Sequence, residues 1–499
     1  MNRRSFLLGS AGLAAAGYAA GLAPWPLRRA LAAPARTLTI GRREIEVNFQ
    51  SASVFGITQA DGTSGLTLDP GEQFLADLVN GTDEDTIIHW HGQRAPYLQD
   101  GVADRNVPLL AAGKSQSYNF RPTPGTHWMH SHHGTQEQLL LAAPLIVRSE
   151  EDAKADIQEV TVLLHDFSFR DPQEILAGLT GGSGDGMHDH GSHDHAGMDQ
   201  SGMGAMPGMD HSAMGHSGMG AMGGGMGMMM DLNDVQYDAF LANDRTLDDP
   251  FVAQVERHGK VRLRLINGAS SSAFWIDLGN VDGTLVAVDG NPVEPVTARR
   301  FPMAIAQRLD LIVDVTAEGA YPVFAQVEGK RERTGIVLAT PGAKIGVLSE
   351  RAEAEAPPVD LSLETKLRPL QPLAARPADQ KLVMTLTGAM MPYLWSINDQ
   401  QWPEVERPLL REGQRVVIEM QNRTMMAHPM HLHGHSFQVT ALNGREIAGA
   451  VRDTVLVPIN GSVTIAFDAD NPGRWPFHCH NLYHMVTGMM TELVYETFV

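Results

Sequence analysis

Four His-x-His pairs carry the metal chemistry of this chain: His89-Trp90-His91, His130-Ser131-His132, His431-Leu432-His433 and His478-Cys479-His480. Imidazole is the commonest metal-binding side chain. On a β-strand, residues i and i+2 face one side, so each pair can aim two ring nitrogens at one space. Eight such nitrogens exceed the needs of a single metal and predict a cluster. Two pairs lie early and two lie near the C-terminus, so distant parts of the chain must meet to build it. The last pair encloses Cys479, the only cysteine among 499 residues. On a strand, its thiolate points away from the two flanking histidines and toward a second metal. One thiolate, His484, Met489 and a further His make the ligand set of a blue-copper electron-transfer site. His428, in His428-Pro429-Met430-His431, is the obvious further His. Histidines scattered over a surface or core would not fall inside four distinct longer motifs.

The four motifs resemble the copper-binding motifs of multicopper oxidases, the family of laccases, ascorbate oxidase, bilirubin oxidase and bacterial copper-resistance oxidases. The resemblance spans essentially the whole mature chain. It implies four copper ions. His428, Cys479 and His484 would bind the type 1 copper, with Met489 axial, and His89 and His431 the type 2 copper. His91, His130 and His480 would hold one type 3 copper, and His132, His433 and His478 the other. No ligand position is empty. The resemblance also implies the reaction. A one-electron donor is oxidised at the type 1 copper, electrons pass through Cys479 to the flanking histidines, and O2 is reduced to water at the three-copper cluster. Asp100, nine residues after His91, matches an acidic position near the cluster and is read as a catalytic proton relay; a turn Asp in Asp100-Gly101 is the alternative. The chain departs from several relatives at Met485, where they carry Glu, and matches the Tyr-His-Met of some copper-resistance oxidases. His127, His133 and His435 match no ligand position and are read as neighbours of the ligands or as solvent-facing. His165 reads as the end of a core strand.

These motifs need elements to position them. Helical periodicity is scarce. Short apolar runs recur between Gly, Pro, Asn and Asp signals, as in Val261-Arg262-Leu263-Arg264-Leu265-Ile266 and Val416-Val417-Ile418-Glu419-Met420. This pattern predicts an all-β protein built of sandwiches. The resemblance implies three cupredoxin-like Greek-key β-sandwich domains: 36–149, 150–347 and 378–499, with an Ala-, Pro- and charge-rich linker over 348–377. The cluster would then lie between the first and third domains, and the type 1 site wholly in the third.

The N-terminus carries Arg3-Arg4 before a mildly apolar stretch and Ala30-Leu31-Ala32 after it. That combination reads as a twin-arginine export signal with a cleavage site over residues 1–35, and predicts a periplasmic enzyme without stable membrane insertion. A single cysteine cannot form an intramolecular disulfide and fits a metal ligand. The net charge of −20 argues against nucleic acid and anionic membranes as partners and would favour cationic substrates. A monomer is expected.

The segment 181–230 is a second source of metal chemistry. It interleaves methionines (among them Met187, Met198, Met203, Met206 and Met209) with His188, His190, His193, His195, His211 and His216 in a Gly/Ser/Asp background. It lacks apolar periodicity and bulk and reads as disordered without metal. Thioethers select Cu(I), and His-rich tracts bind metals, so a labile additional Cu(I) is expected there. Met425 and Met426 are a second candidate for Cu(I) docking or, equally, packing; Thr424 stands where some copper-efflux oxidases carry Asp. The reading is an oxidase that converts Cu(I) to Cu(II) with O2 as acceptor, giving copper tolerance. A laccase-like phenol oxidase and a copper-sequestering protein are the alternatives.

Overall fold

The computed structural model describes residues 35–181 and 232–499. The leader expected over 1–35 and the Met/His-rich segment expected over 181–230 fall outside those residues, except for Ala35 and Gly181. Within them strands far outweigh helices, as the short apolar runs predict. Alternation is clear in Phe74–Asn80, where buried residues alternate with half-buried ones, as on a strand with one face on a core.

Six sheets form three successive pairs. A four-stranded sheet with Arg36–Val47 at its interior faces another that carries Ile88–His91 and Gly125–Ser131. A six-stranded and a five-stranded sheet follow over the second third of the chain, and a seven-stranded and a five-stranded sheet over the last. Each pair encloses its own core, centred on Phe55, Phe74 and Trp90; on Leu263, Phe274 and Leu311; and on Ile418, Phe437 and Phe467. Removing such side chains from water is the main favourable term in folding. Among the described residues, three short α-helices accompany the strands: Glu150–Lys154, Pro172–Thr180 and Leu482–Val486. The last lies inside the His478-to-Met489 motif, started by Asn481, whose side chain accepts from the backbone N–H of Tyr483 and His484.

Strand register brings the motifs together. In the first sandwich His89 stands opposite His130. In the third, His431 stands opposite His478 and Met430 opposite Cys479. Directly opposed residues of an antiparallel pair share a face, so each register match delivers two imidazoles to one side of a sheet.

The second sandwich supplies none of the His-x-His pairs, yet it ties the other two together. Arg308, fully buried on the strand Arg308–Asp314, donates to Thr126 O of the first sandwich at 3.2 Å and to Asp453 Oδ1 of the third at 2.7 Å. Asp289 accepts from the Arg308 backbone N–H and from Arg452 Nη1, and Arg452 also pairs with Glu364. Glu364 belongs to the connection 348–377, which is itself packed: Leu363 and Leu367 are buried in the second core. Apolar contacts reinforce the joints, with Trp128 and Ile146 of the first sandwich against Leu163 and Ile305 of the second.

Arg308→Met would leave the Asp453 carboxylate buried with its main cation removed. Stranding one member of a buried pair costs about 3–5 kcal/mol. The first transition in urea unfolding should fall accordingly; an unchanged transition would mean that the sandwiches are held together by their apolar contacts alone.

Candidate metal centre

The eight paired histidines converge between the first and third sandwiches. His89, His91 and His130 form one group whose candidate ligand atoms lie within 4.8 Å of one another; His89, His431 and His433 form another, and His132, His433 and His478 a third. His480 joins through its Nε2, 3.2 Å from His91 Nδ1. Seven of the eight are buried and His132 is half-buried.

Five of the rings are held from behind as follows. His89 Nδ1 and His431 Nδ1 face the backbone carbonyls of Asp100 (3.0 Å) and Asp453 (2.9 Å). His433 Nδ1 faces Asp100 Oδ2 at 2.8 Å, and His478 Nδ1 the Cys479 carbonyl at 2.9 Å. His91 is reversed, with Nε2 on Asp453 Oδ1 at 3.1 Å. Carbonyl and carboxylate oxygens only accept. Each therefore assigns the proton to the outer nitrogen and leaves a lone pair on the inner one. The consequence is direct: His433 Nε2 and His478 Nε2, both lone-pair nitrogens, stand 3.0 Å apart. The inner nitrogens of His89, His130 and His431 are buried with no hydrogen-bond partner. Buried polar atoms are rarely left so; cations between these nitrogens satisfy them. The donor set, neutral imidazoles throughout, suits copper.

The electrostatics agree. Burial first, and then neighbouring imidazoles, hold His91, His130, His132, His431 and His433 well below the usual histidine range. His478 and His480 are pushed down to about 3, again chiefly by burial. These seven rings are neutral near pH 7, as metal ligation requires.

The second group is His428, Cys479 and His484, all fully buried in the third core. Cys479 Sγ lies 3.6 Å from both His428 Nδ1 and His484 Nδ1, which are 3.1 Å from each other. His484 Nε2 faces Asp234 at 3.2 Å, and His428 Nε2 faces Thr424 Oγ1 at 2.7 Å. Met489 is buried in the same core, and its carbonyl accepts from the Cys479 backbone N–H at 3.1 Å. Trp395 stacks against His484 with ring centroids 4.1 Å apart. Burial pushes the Cys479 thiol above its ordinary range, so a thiolate here requires a cation beside it. The donors fit a copper ion. The flanking residues of Cys479 lead straight into the cluster: the His478-Cys479-His480 backbone joins the two groups covalently.

Asp100 does more than turn the chain. It is buried and contacts two ligands of the cluster, His433 and, at 3.4 Å, His89. Gly101 at φ +87° passes so close to Ile88 that a Cβ would sit 1.7 Å from its carbonyl oxygen; the glycine is required by this approach. His127 is buried beside Gly290 and bonds Pro124 O. His435 stands behind His433, bonding its carbonyl and Tyr495. His165 ends a strand and bonds Gly268 O. Met426 packs in the third core while Met425 is 62% exposed, so the two do not face one site. Met485 is half-buried at the end of the Leu482–Val486 helix.

Sequence reasoning missed Asp234, Asp453, Glu137 and Thr424 as contacts of the histidines. None lies inside a His-x-His motif, though Glu137, in Gln136-Glu137-Gln138, follows His132 closely enough to invite scrutiny. The described ends of the Met/His-rich segment also have a defined place. Before it, the helix Pro172–Thr180 packs Ile175, Leu176 and Leu179 on the third core. After it, Asp234 bonds His484. Both ends therefore meet the third sandwich, and the second of them touches the His484 that faces Cys479.

Cys479→Ser removes the soft donor while leaving both flanking imidazoles. It should abolish the intense blue absorption and lower bound copper by one ion per chain, read by metal analysis. Retention of the absorption would rule out Cys479 as its source.

Three family models, each of multicopper oxidase, match residues 42–152, 212–350 and 375–498. Multicopper oxidase MmcO of Mycobacterium tuberculosis is 29% identical over 85% of this chain and 80% of its own. Copper resistance protein A of Escherichia coli is 26% identical over 99% of both chains, and a laccase of Neurospora crassa is 26% identical over 82% of this chain and 68% of its own. Among solved structures, the laccase from Botrytis aclada superposes with a TM-score of 0.70 at 22% identity, covering 92% of this chain and 88% of that one. Fet3p, a multicopper oxidase that functions in iron import, gives 0.71 at 17%, covering 92% and 90%. Such likeness establishes cupredoxin-like sandwiches. With the three models falling in order on the three sandwiches that build the histidine cluster, the chain belongs to the multicopper oxidase family.

Proposed function

We propose that this enzyme is a cuprous oxidase: it oxidises Cu(I) to Cu(II) and reduces O2 to water, in copper tolerance. His428, Cys479 and His484, together with Met489, would hold the type 1 copper. His89 and His431 hold the type 2 copper. His91, His130 and His480 hold one type 3 copper, and His132, His433 and His478 the other. So held, the coppers supply one-electron oxidation at the Cys479 site and four-electron O2 reduction at the cluster. The chain's own residues do the rest. Cys479 links the two sites through its side chain and the backbone to His478 and His480. Asp100, with one carboxylate oxygen on His433 and the other without a partner, is placed to pass protons to the cluster. Asp234 fixes the tautomer of His484 and presents Nδ1 to the type 1 position. The leader directs the enzyme to the periplasm, where it acts as a monomer.

The observation that carries the choice of donor is where the Met/His-rich segment is anchored. Its thioether and imidazole donors suit Cu(I); just after it Asp234 bonds His484, and the helix just before it packs on the third core, which also holds Cys479 and Met489. The relatives named copper resistance protein A favour the same reading. Phenol oxidation is the second reading, favoured by the relatives named laccase.

Steady-state O2 consumption with buffered Cu(I) and with a phenol separates these. Deleting 181–230 should lower kcat/KM for Cu(I) by tenfold or more (about 1.4 kcal/mol or more) and leave phenol oxidation unchanged or raised. Equal loss on both donors would make the segment structural. Asp100→Asn should slow O2 reduction more than reduction of the type 1 copper in single-turnover kinetics; equal effects would reject the proton role.

A further inference from the structure

Glu137 is a buried carboxylate at the cluster to which the oxidase reading assigns no task. It lies on the one-turn helix Gln136–Leu139, five residues past His132, and is 3% exposed. Its Oε2 is 2.8 Å from His130 Nδ1, and its Oε1 is 4.0 Å from His480 Nδ1. Those two histidines come from different sandwiches. Among the described residues, Glu137 makes no ion pair with Lys or Arg, and Oε1 has no hydrogen-bond partner. Burying a carboxylate without a cation is costly, so its counter-charge must come through the imidazoles it faces.

The helix that carries it is clamped on both sides. Gln136 accepts from Thr86 Oγ1 (2.8 Å) and Ser131 Oγ (2.7 Å) and donates to Asp85 O (3.0 Å). Gln138 accepts from Tyr237 at 2.9 Å and from Tyr483 at 3.2 Å. Tyr237 belongs to the second sandwich and Tyr483 to the third. The position of Glu137 thus follows the docking of all three sandwiches. His130 Nδ1 has a second acceptor in Ser131 O at 3.0 Å, so what Glu137 adds is its charge and its reach toward His480.

We infer that Glu137 is a positioning residue of the trinuclear site: one carboxylate, fixed by the interdomain glutamine clamp, orients His130 through a 2.8 Å contact and sets its charge 4.0 Å from His480 Nδ1, favouring the ring placement in which both would present Nε2 to the same type 3 copper. The inference rests on the ligand reading proposed above. Carboxylate partners of ligating histidines fix ring orientation and raise ligand basicity, and their loss weakens metal binding by about 10–100-fold. Here the effect falls on one copper of the coupled pair and leaves the type 1 site alone.

The test compares wild type, Glu137→Ala and Glu137→Gln as copper-loaded full-length proteins. Copper per chain, the blue absorption, the electron-spin resonance spectrum and the rate of copper loss to a chelator are recorded for each. In Glu137→Ala, copper of the coupled pair should leave about 10–100-fold faster, its partner should become visible by spin resonance, and the blue absorption should persist. Glu137→Gln keeps an acceptor without the charge and should show several-fold faster loss. Wild-type release and a silent pair in both variants would overturn the role of Glu137. If Glu137→Ala also loses the blue absorption, the fold has failed, and Glu137→Gln decides: faster selective release supports the inference and wild-type release overturns it. A wild-type protein lacking a coupled pair would overturn the ligand reading itself, and this inference with it.

Discussion

The structure depends on a set of lone pairs that have nothing to face but one another. Carbonyl and carboxylate oxygens behind the rings take the outer imidazole protons, as at Asp100, Asp453 and the Cys479 carbonyl. What remains inside is a buried space walled by bare nitrogens, with His433 and His478 at 3.0 Å. Such an arrangement is unfavourable by itself, since each nitrogen has lost water and gained no donor. It becomes favourable when cations enter. Copper binding and the docking of the first and third sandwiches are thus coupled, because two of the three histidine groups, His89 with His431 and His433, and His132 with His433 and His478, draw donors from both.

That coupling explains the work of the second sandwich. It contributes no paired histidine, but Arg308 reaches both neighbours and neutralises Asp453, the carboxylate that sets the tautomer of His91. Gly92, directly after His91, makes room for this crossing: a Cβ there would sit 2.6 Å from an Arg308 nitrogen and 3.0 Å from the Asp453 carboxylate. The charge network therefore serves two ends at once. It fixes the relative placement of the sandwiches, and it fixes which nitrogen of a ligand faces the metal.

The two metal groups share one short stretch of chain. In His478-Cys479-His480 the middle side chain enters the third core while its neighbours enter the interface. The strand ends at Cys479, and His480 is held afterwards by its backbone N–H on Pro429 O at 2.6 Å. The Leu482–Val486 helix then turns His484 back onto the thiol. A strand alone would have carried His484 away from Cys479; the helix, begun by the Asn481 cap, is what closes the group.

The sequence by itself determined the donors, the family and the strand-rich architecture. Donor type and i, i+2 spacing are local properties, and a His-x-His pair on a strand has little freedom in what it presents. It also marked Asp100, whose glycine neighbour was legible as a turn but not as a close approach to Ile88. Only the tertiary structure decided which residues stand behind the donors. Asp453 lies 362 residues from His91, Asp234 lies 250 residues from His484, and Glu137 faces a histidine of another sandwich. These partners come together through sheet register and interdomain charge, which depend on the packing of whole sandwiches. Hydrogen-bond acceptors such as Asp, Glu and backbone carbonyls are common everywhere in a chain. They acquire a role only from the geometry of the ring that happens to face them, and no spacing rule announces it.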